Sequence, residues 1–267
     1  MSKWFLWIIL SSLTGSPIGS AIAILVFYWA LDRFTFRMLP DPVGFVRKRM
    51  RAGKLRRDLV GNPHDRRARY ELAEIMLGRK RYARAVELLR PNLEAGDDDV
   101  PSVYTMGVAC LGAGHAQQGE KLLDHAAEKD PGFRLGAIEL ERGRWRLQRG
   151  DAKGAQEALK KALTFRSGSV EARVLLAKAL EAGGDDGAGA LMREEAWREY
   201  VGSPAFHRRT ERFWAWRAKP SRPAIYAVAA AVALFLFAKL AAPQVAAAAH
   251  RMGGGSAQQY DAEDDGP

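Results

Sequence analysis

Apolar residues recur at helical spacing through the middle of the chain, from about residue 66 to residue 203. Three series of positions repeat there with steps of 34, 36 and 34 residues, so the pattern contains one slip of two residues. The series are a turn position (Lys80, Gly114, Gly150, Gly184), a large apolar position (Leu88, Leu122, Ala158, Met192) and a small position (Asn92, Ala126, Ala162, Ala196). Such a period predicts an all-α solenoid of stacked helix-turn-helix units, because one unit cannot bury its apolar face alone. We expect the slip to lengthen the first helix of the third unit, near Arg134 and Leu135.

Each unit carries a large-small residue pair in its first helix and a small residue early in its second helix. The pairs are Leu72-Ala73, Met106-Gly107, Arg142-Gly143 and Leu176-Ala177, and the small residues are Ala85, Gly119, Ala155 and Gly189. In this pattern the chain resembles the tetratricopeptide-repeat (TPR) family. The resemblance implies a TPR array over 63–203, with repeats at 66–99, 100–133, 136–169 and 170–203. The third repeat departs from the family, because Arg142 stands where a large apolar residue belongs.

Two apolar segments flank the array and predict an N-terminal and a C-terminal transmembrane helix. Residues 4–31 carry no charge and residues 224–242 carry only Lys239, whereas a helical span needs about 20 apolar residues. Pro17 predicts a kink, so the first segment is either one kinked span or a re-entrant hairpin. A cleaved signal peptide competes with this interpretation, and an amphipathic or buried helix competes for the second segment. Residues 243–267 predict a disordered tail.

The formal net charge of +10 is concentrated beside these apolar segments. A basic helix at 32–62 and a basic, aromatic segment at 204–222 are expected to cover the two ends of the array. Because basic residues flank spans on the cytoplasmic side, we predict a bacterial inner-membrane protein with a cytoplasmic TPR domain and both termini outside. The clusters also predict attraction to anionic membrane lipid. We prefer this to nucleic-acid binding, since no nucleic-acid motif is present.

The sequence contains none of the motifs that commonly carry catalysis or metal binding. We find no phosphate-binding glycine loop, no HExxH, no CxxC pair and no nucleophile elbow. The single cysteine, Cys110, excludes an intramolecular disulfide and fits a reducing compartment. We therefore predict that the chain is not an enzyme and has no catalytic residues, no metal site and no cofactor.

The resemblance also implies a binding site, because first-helix residues line a concave groove in the TPR family. Carried over to this chain, the groove residues are Arg67, Tyr70, Glu74, Tyr104, Val108, Arg144 and Lys178. The chaperone-binding members use a clamp of Lys, Asn and Arg for two carboxylates, and this chain lacks the Asn and has tyrosines there. Tyrosine and arginine are frequent anchor residues at interfaces. We therefore expect a peptide or helix that carries apolar and acidic residues.

Three functions fit the sequence. The leading hypothesis is a membrane-anchored TPR scaffold or adaptor that binds a protein in the assembly of a membrane or envelope complex. The second is a structural subunit of a membrane complex that is recognised through its spans, where small residues such as Gly15 and Gly19 would permit close helix approach. The third is a regulatory accessory chain of an envelope enzyme.

Overall fold

The computed structural model describes residue 26 and residues 42–225, 227–229 and 231–232. Residues 42–218 form a series of α-helices that are joined by short turns and loops. In chain order the helices are α1 (Pro42–Gly61), α2 (Arg66–Gly78), α3 (Tyr82–Glu94), α4 (Val100–Gly112), α5 (Ala116–Lys129), α6 (Ala137–Gln148), α7 (Ala152–Phe165), α8 (Val170–Ala182), α9 (Asp186–Gly202) and α10 (Ala205–Ala218). The predicted all-α repeat architecture is confirmed for this part of the chain.

Consecutive helices pair as hairpins, α2 with α3, α4 with α5, α6 with α7 and α8 with α9. A left-handed residue reverses the chain in each turn. These residues are Lys80, Gly114, Gly150 and Gly184, with φ of 58°, 91°, 83° and 89°. Glycine adopts this conformation without a steric penalty, whereas Lys80 does so at some cost. Aspartate side chains cap the N-termini of some helices. Asp65 accepts a hydrogen bond from the Ala68 amide at the start of α2, and Asp185 accepts one from the Ala188 amide at the start of α9, both at 2.9 Å.

Small residues allow the two helices of a hairpin to approach closely. A Cβ atom added at Gly119 of α5 would lie 2.7 Å from the Leu111 side chain and 2.9 Å from the Gly107 carbonyl oxygen on α4. Leu123, one turn further along α5, is fully buried in the same interface. The apolar face of each hairpin also packs against the next hairpin, which explains why the units are stable as an array.

The array is curved, with the first helix of each hairpin on the inside. α2, α4, α6 and α8 contact one another in sequence, whereas the second helices α3, α5, α7 and α9 make no such contacts within the described residues. Helices on the inner side of a curved row lie closer together than those on the outer side, so the first helices line a concave face. α10 contacts both α8 and α9 and extends this inner row by one helix. At the other end, α1 contacts α2. This contact is equivalent to the one that the second helix of each hairpin makes with the first helix of the next hairpin.

Buried charges occupy the junction between the second and third hairpins. Arg142 of α6 is 8% exposed, and its guanidinium lies 2.6 Å from Asp124 and 3.1 Å from Glu120 on α5. It also lies 3.3 Å from Glu139, which is 2% exposed and binds Lys161 at 2.6 Å. Because each buried charge has opposite partners, α6 accommodates an arginine at a position that is apolar in the other repeats.

The two extra residues of the third repeat do not lengthen its first helix, as the repeat slip had led us to expect. α6 begins at Ala137, and residues 131–136 form turns. Arg134, Leu135 and Gly136 have φ of 47°, 56° and 81°. Three successive left-handed residues cannot continue a right-handed helix, so the insertion is a loop.

The predicted N-terminal and C-terminal transmembrane helices require a correction. Among the described residues, no helix has both the length and the apolar composition that crossing a membrane requires. The longest described helix, α1, has 20 residues but carries many basic side chains, whereas a span needs about 20 predominantly apolar residues. The fold prediction with flanking spans is therefore wrong, and so is the inner-membrane localisation that depended on it. Residues 4–31 and 224–242 lie mostly, and the tail 243–267 entirely, outside the described residues.

Candidate functional site

The concave face has an N-terminal region, formed by α2 and α4, in which polar groups bind each other. Tyr70, Glu74, Tyr104, Phe133 and Arg134 form one connected group there, which we call the tyrosine cluster. The Tyr70 hydroxyl donates a hydrogen bond to the Glu74 carboxylate, with 2.8 Å between the two oxygens. The Arg134 guanidinium donates to the same Glu74 oxygen at 3.3 Å. The polar groups of this region are therefore largely satisfied within the chain.

Aromatic packing completes the tyrosine cluster. The ring centroids of Tyr104 and Phe133 are 5.2 Å apart, and the two residues are 8% and 9% exposed. The guanidinium carbon of Arg134 lies 5.1 Å from the Phe133 centroid and 6.0 Å from the Tyr104 centroid, within the range of cation–π attraction. Burial raises the pKa of the Tyr70 and Tyr104 hydroxyls, so both remain neutral at physiological pH.

The loop at 131–136 brings Phe133 and Arg134 into this cluster. Its run of left-handed residues places the two side chains against residues of α2 and α4, many positions earlier in the chain. The loop therefore occupies part of the concave surface that the sequence pattern had assigned to a partner.

Arg144, further along the concave face on α6, is held by two carboxylates. Its guanidinium donates hydrogen bonds to Glu141 on the same helix and to Glu171 in the first turn of α8. Burial raises the pKa of the Glu141 carboxyl, and the neighbouring Arg144 opposes that rise. The three side chains connect α6 to α8, and the positive charge of Arg144 is compensated within the chain.

A pocket of about 430 Å³ lies beside Arg144, between α6, α8 and α10, and we call it the C-terminal pocket. Its lining residues are Arg144, Leu147, Gln148, Leu175, Lys178, Trp214 and Arg217. The guanidinium carbon of Arg217 lies 4.4 Å from the centroid of the Trp214 ring, a stacking distance. Lys178 and Arg217 are both exposed, and neither side chain forms an ion pair with any described residue. Unlike the tyrosine cluster, this pocket carries positive charges that form no ion pair with the part of the chain that the structure describes.

Glu211 fixes the position of α10 and therefore of the pocket wall. Its carboxylate accepts a hydrogen bond from the Val170 amide at 2.8 Å, at the N-terminus of α8, and another from Arg166 at 2.7 Å. A carboxylate at a helix N-terminus satisfies a free amide and interacts favourably with the helix dipole. Trp214 and Arg217 follow Glu211 at intervals of three residues, which places the three on adjoining parts of one helix face.

A second pocket, of about 830 Å³, lies at the opposite end of the array between α1 and α2. Phe45 and Lys48 of α1 face Glu71 and Glu74 of α2 across it. Phe45 is 63% exposed, so this pocket also offers an apolar surface. Its carboxylates are engaged, because Glu71 pairs with Arg51 and Glu74 belongs to the tyrosine cluster.

The seven residues predicted to line the groove do not form one continuous site. Three lie in the tyrosine cluster and two in the C-terminal pocket: Tyr70, Glu74 and Tyr104, then Arg144 and Lys178. The Arg67 side chain is 90% exposed on α2, and Val108 is 6% exposed within the core. A role of these residues in partner contact stays a prediction.

Sequence reasoning missed four residues that shape the concave face, namely Phe133, Arg134, Trp214 and Arg217. The two-residue slip in the repeat was the available signal for the first pair, but we assigned it to a helix instead of a loop. The second pair lies after the last repeat, in the basic, aromatic segment 204–222, which we expected to cover the end of the array and not to line the concave face. Nothing local indicated that α10 would continue the inner row.

The described residues contain no group of three or more His, Cys, Asp or Glu side chains that could hold a metal ion. Cys110 is fully buried in α4, and burial raises the pKa of its thiol. A thiol in that environment is a packing element of the core.

Comparison with known proteins supports the fold. No protein-family description matches the sequence, and no curated protein matches it. A solved structure of MamA (AMB-1) matches with a TM-score of 0.51 and 18% identity, covering 60% of this chain and 94% of that one. A thermophilic TPR protein of Thermus thermophilus, TTC0263, matches with a TM-score of 0.46 and 21% identity, covering 72% of this chain and 93% of that one. The curved row of helix hairpins has the helix-turn-helix architecture of a TPR fold. The MamA similarity supports this fold and nothing beyond it.

Proposed function

We propose that this chain is a scaffold that binds a partner protein along its concave face, chiefly through the C-terminal region of that face. The observation that carries the proposal is the C-terminal pocket. There Lys178 and Arg217 stand without ion-pair partners among the described residues, next to the apolar side chains of Leu147 and Trp214. A surface of this kind is stabilised when a partner supplies the missing opposite charge and covers the apolar wall.

The division of the concave face defines how such a partner would bind. The tyrosine cluster is already packed and hydrogen-bonded, so contact there would have to displace Arg134 from Glu74. The C-terminal pocket needs no such displacement. Binding should therefore begin at α6, α8 and α10 and extend toward α2, where the exposed Arg67 lies 3.6 Å from Glu71 in an ion pair on the surface.

In this proposal the chain brings its partner into a protein complex and performs no chemistry itself. The absence of catalysis stays a prediction. A regulatory accessory chain of an enzyme would use the same concave face, and no observation on the described residues favours it over a scaffold.

The proposal is tested by site-specific photo-crosslinking of the full-length chain in its native cells. A photoreactive amino acid replaces Gln148, an uncharged lining residue of the C-terminal pocket, or Arg67 on the concave face. Lys121 or Lys160 on the second helices serves as a control. All four positions are exposed in the structure, so the substitutions should leave the fold unchanged.

We expect a discrete protein adduct from position 148, a weaker one from position 67 and none from the two control positions. Adducts formed only from positions 121 and 160 would show that the convex side carries the interaction. Absence of a discrete adduct at every position would equally refute the proposal.

A further inference from the structure

The C-terminal pocket combines an apolar wall with positive charges at its rim. Leu147 and Leu175 come from α6 and α8, and the Trp214 ring of α10 stands beside them. A volume of about 430 Å³ exceeds that of one large apolar side chain. The space is therefore sufficient for a leucine or aromatic side chain together with a neighbouring polar group, and small for a larger folded element.

Around the pocket, positive side chains outnumber the carboxylates that could pair with them. The nearby carboxylates of Glu141 and Glu171 are bound to Arg144, and that of Glu181 is bound to Arg193. Each of these carboxylates thus has a cationic partner. Arg193, and after it Lys178, lower the pKa of the Glu181 carboxyl. Neither Lys178 nor Arg217 forms an ion pair within the described residues.

The arrangement of Arg217 suits a carboxylate ligand in particular. Its guanidinium lies over the Trp214 ring at 4.4 Å. Stacking restricts the guanidinium plane while leaving its edge N–H groups available, and these groups match the two oxygens of a carboxylate. Because Glu211 fixes α10 on the N-terminus of α8, the stacked pair is held in place before any ligand binds.

We propose that the C-terminal pocket is the anchor site for a linear segment of a partner protein in which a leucine or aromatic residue stands next to an aspartate or glutamate. The apolar side chain enters between Leu147, Leu175 and Trp214, and the carboxylate binds Lys178 and Arg217. This inference rests on the proposed scaffold function and adds to it the anchor and the chemistry of the partner segment.

The test uses the full-length chain and a phage-displayed library of random dodecapeptides. Peptides are selected on the unmodified protein, synthesised, and measured by fluorescence anisotropy against Lys178→Glu, Arg217→Glu and the matched control Lys160→Glu. The control makes the same charge change on an exposed face of α7. Circular dichroism and thermal unfolding of each variant verify that the fold is retained.

We expect the selected peptides to share an acidic residue next to a leucine or aromatic residue. Each pocket variant should weaken their binding by roughly tenfold or more, because it replaces an attractive charge with a repulsive one, while Lys160→Glu leaves binding unchanged. Selected peptides without carboxylates, or equal binding by the pocket variants, would overturn the inference. A selection that yields no binding peptide would also overturn it.

The two proposals fail in distinguishable ways. If position 148 or 67 crosslinks to a partner but the pocket variants leave peptide binding unchanged, the scaffold proposal stands and the anchor is wrong. If only positions 121 and 160 crosslink, the concave face itself is not the binding surface, whatever peptides the pocket selects.

Discussion

The two regions of the concave face differ in where their polar groups find partners. In the tyrosine cluster, Glu74 receives hydrogen bonds from Tyr70 and Arg134, and the aromatic rings are buried beneath the inserted loop. In the C-terminal pocket, Lys178 and Arg217 remain without ion-pair partners among the described residues. One repeat pattern has thus produced a tyrosine cluster whose polar groups bind each other and a C-terminal pocket whose cations lack ion-pair partners.

This difference shows that groove residues cannot be judged from repeat position alone. Tyr70, Glu74 and Lys178 occupy corresponding faces of their first helices, yet only Lys178 presents a charge outside any ion pair of the described chain. The cause is what packs on each face: a two-residue insertion covers the first, and the additional helix α10 forms a wall beside the second. If this comparison is correct, substitutions at the two ends should separate effects on stability from effects on binding.

The largest expected effect on stability is that of Tyr104→Ala in the tyrosine cluster. Removing a buried aromatic ring that packs against Phe133 should lower the free energy of unfolding by about 3 kcal/mol. Lys178→Ala in the C-terminal pocket should change it by less than about 0.5 kcal/mol, since exposed side chains contribute little. Urea unfolding followed by circular dichroism measures both.

The matched control for this experiment is Tyr104→Phe. It keeps the ring and removes only the hydroxyl, for which no hydrogen bond is found within the described residues, so stability should stay close to that of the unmodified chain. A comparable loss in Tyr104→Ala and Lys178→Ala would remove the distinction between the two regions.

An intermediate effect is expected from Glu141, whose carboxyl pKa is raised by burial. The folded chain then holds the Glu141 proton to higher pH than the unfolded chain does. The protonated Glu141 carboxyl therefore contributes to the free energy of unfolding. This contribution is fully present below the ordinary glutamate pKa of about 4.3 and is lost as the pH rises through the raised pKa. Glu141→Gln removes this component, so the advantage of the unmodified chain over the variant should decline as the pH rises.

Urea unfolding of both proteins at several pH values between about 4 and 8 measures this difference. Glu157→Gln, at an exposed position of α7, serves as the control for the replacement of a glutamate by a glutamine. If the free energies of unfolding of Glu141→Gln and of the unmodified chain changed in parallel with pH, the raised pKa of the Glu141 carboxyl would be contradicted.

The smallest expected effect is a gain in stability from Leu135→Gly in the inserted loop. Leu135 has a φ of 56° and is 66% exposed, so it holds a strained left-handed conformation and buries little surface. Glycine removes that strain but has a larger unfolded-state entropy, which leaves a net gain of roughly 0.5 kcal/mol. Thermal unfolding measures the gain. Leu135→Ala, which retains the Cβ atom, should show none, and equal behaviour of the two variants would mean that strain is not what the glycine relieves.

Much of the helical array could be predicted because it follows from local rules. The 34-residue period and the left-handed turn residues mark where each helix pair reverses, and a small residue such as Gly119 permits the close approach that a hairpin requires. The same local reasoning failed at the flanks. Hydropathy and charge suggested two membrane spans, and no described helix meets the requirements of one.

The candidate site was less predictable, because its decisive contacts are between residues far apart in the chain. Glu74 and Arg134 are 60 positions apart, and Glu211 and Val170 are 41 apart. No local pattern encodes such a pair, since either partner alone is an ordinary polar residue on a helix or a loop. Arg142 illustrates the opposite case: the sequence showed it as a departure from the repeat, and only its contacts with α5 explained how the charge is accommodated.

The sequence by itself determined the class of the fold, because helix periodicity and turn chemistry act over a few residues. It also led to a prediction of groove residues from the first-helix positions of each repeat, and their role in partner contact stays a prediction. Tertiary structure alone decided which of those residues are already engaged within the chain. The inserted loop and the helix α10 each bring distant side chains onto the concave face, and whether a charge is compensated depends on that packing.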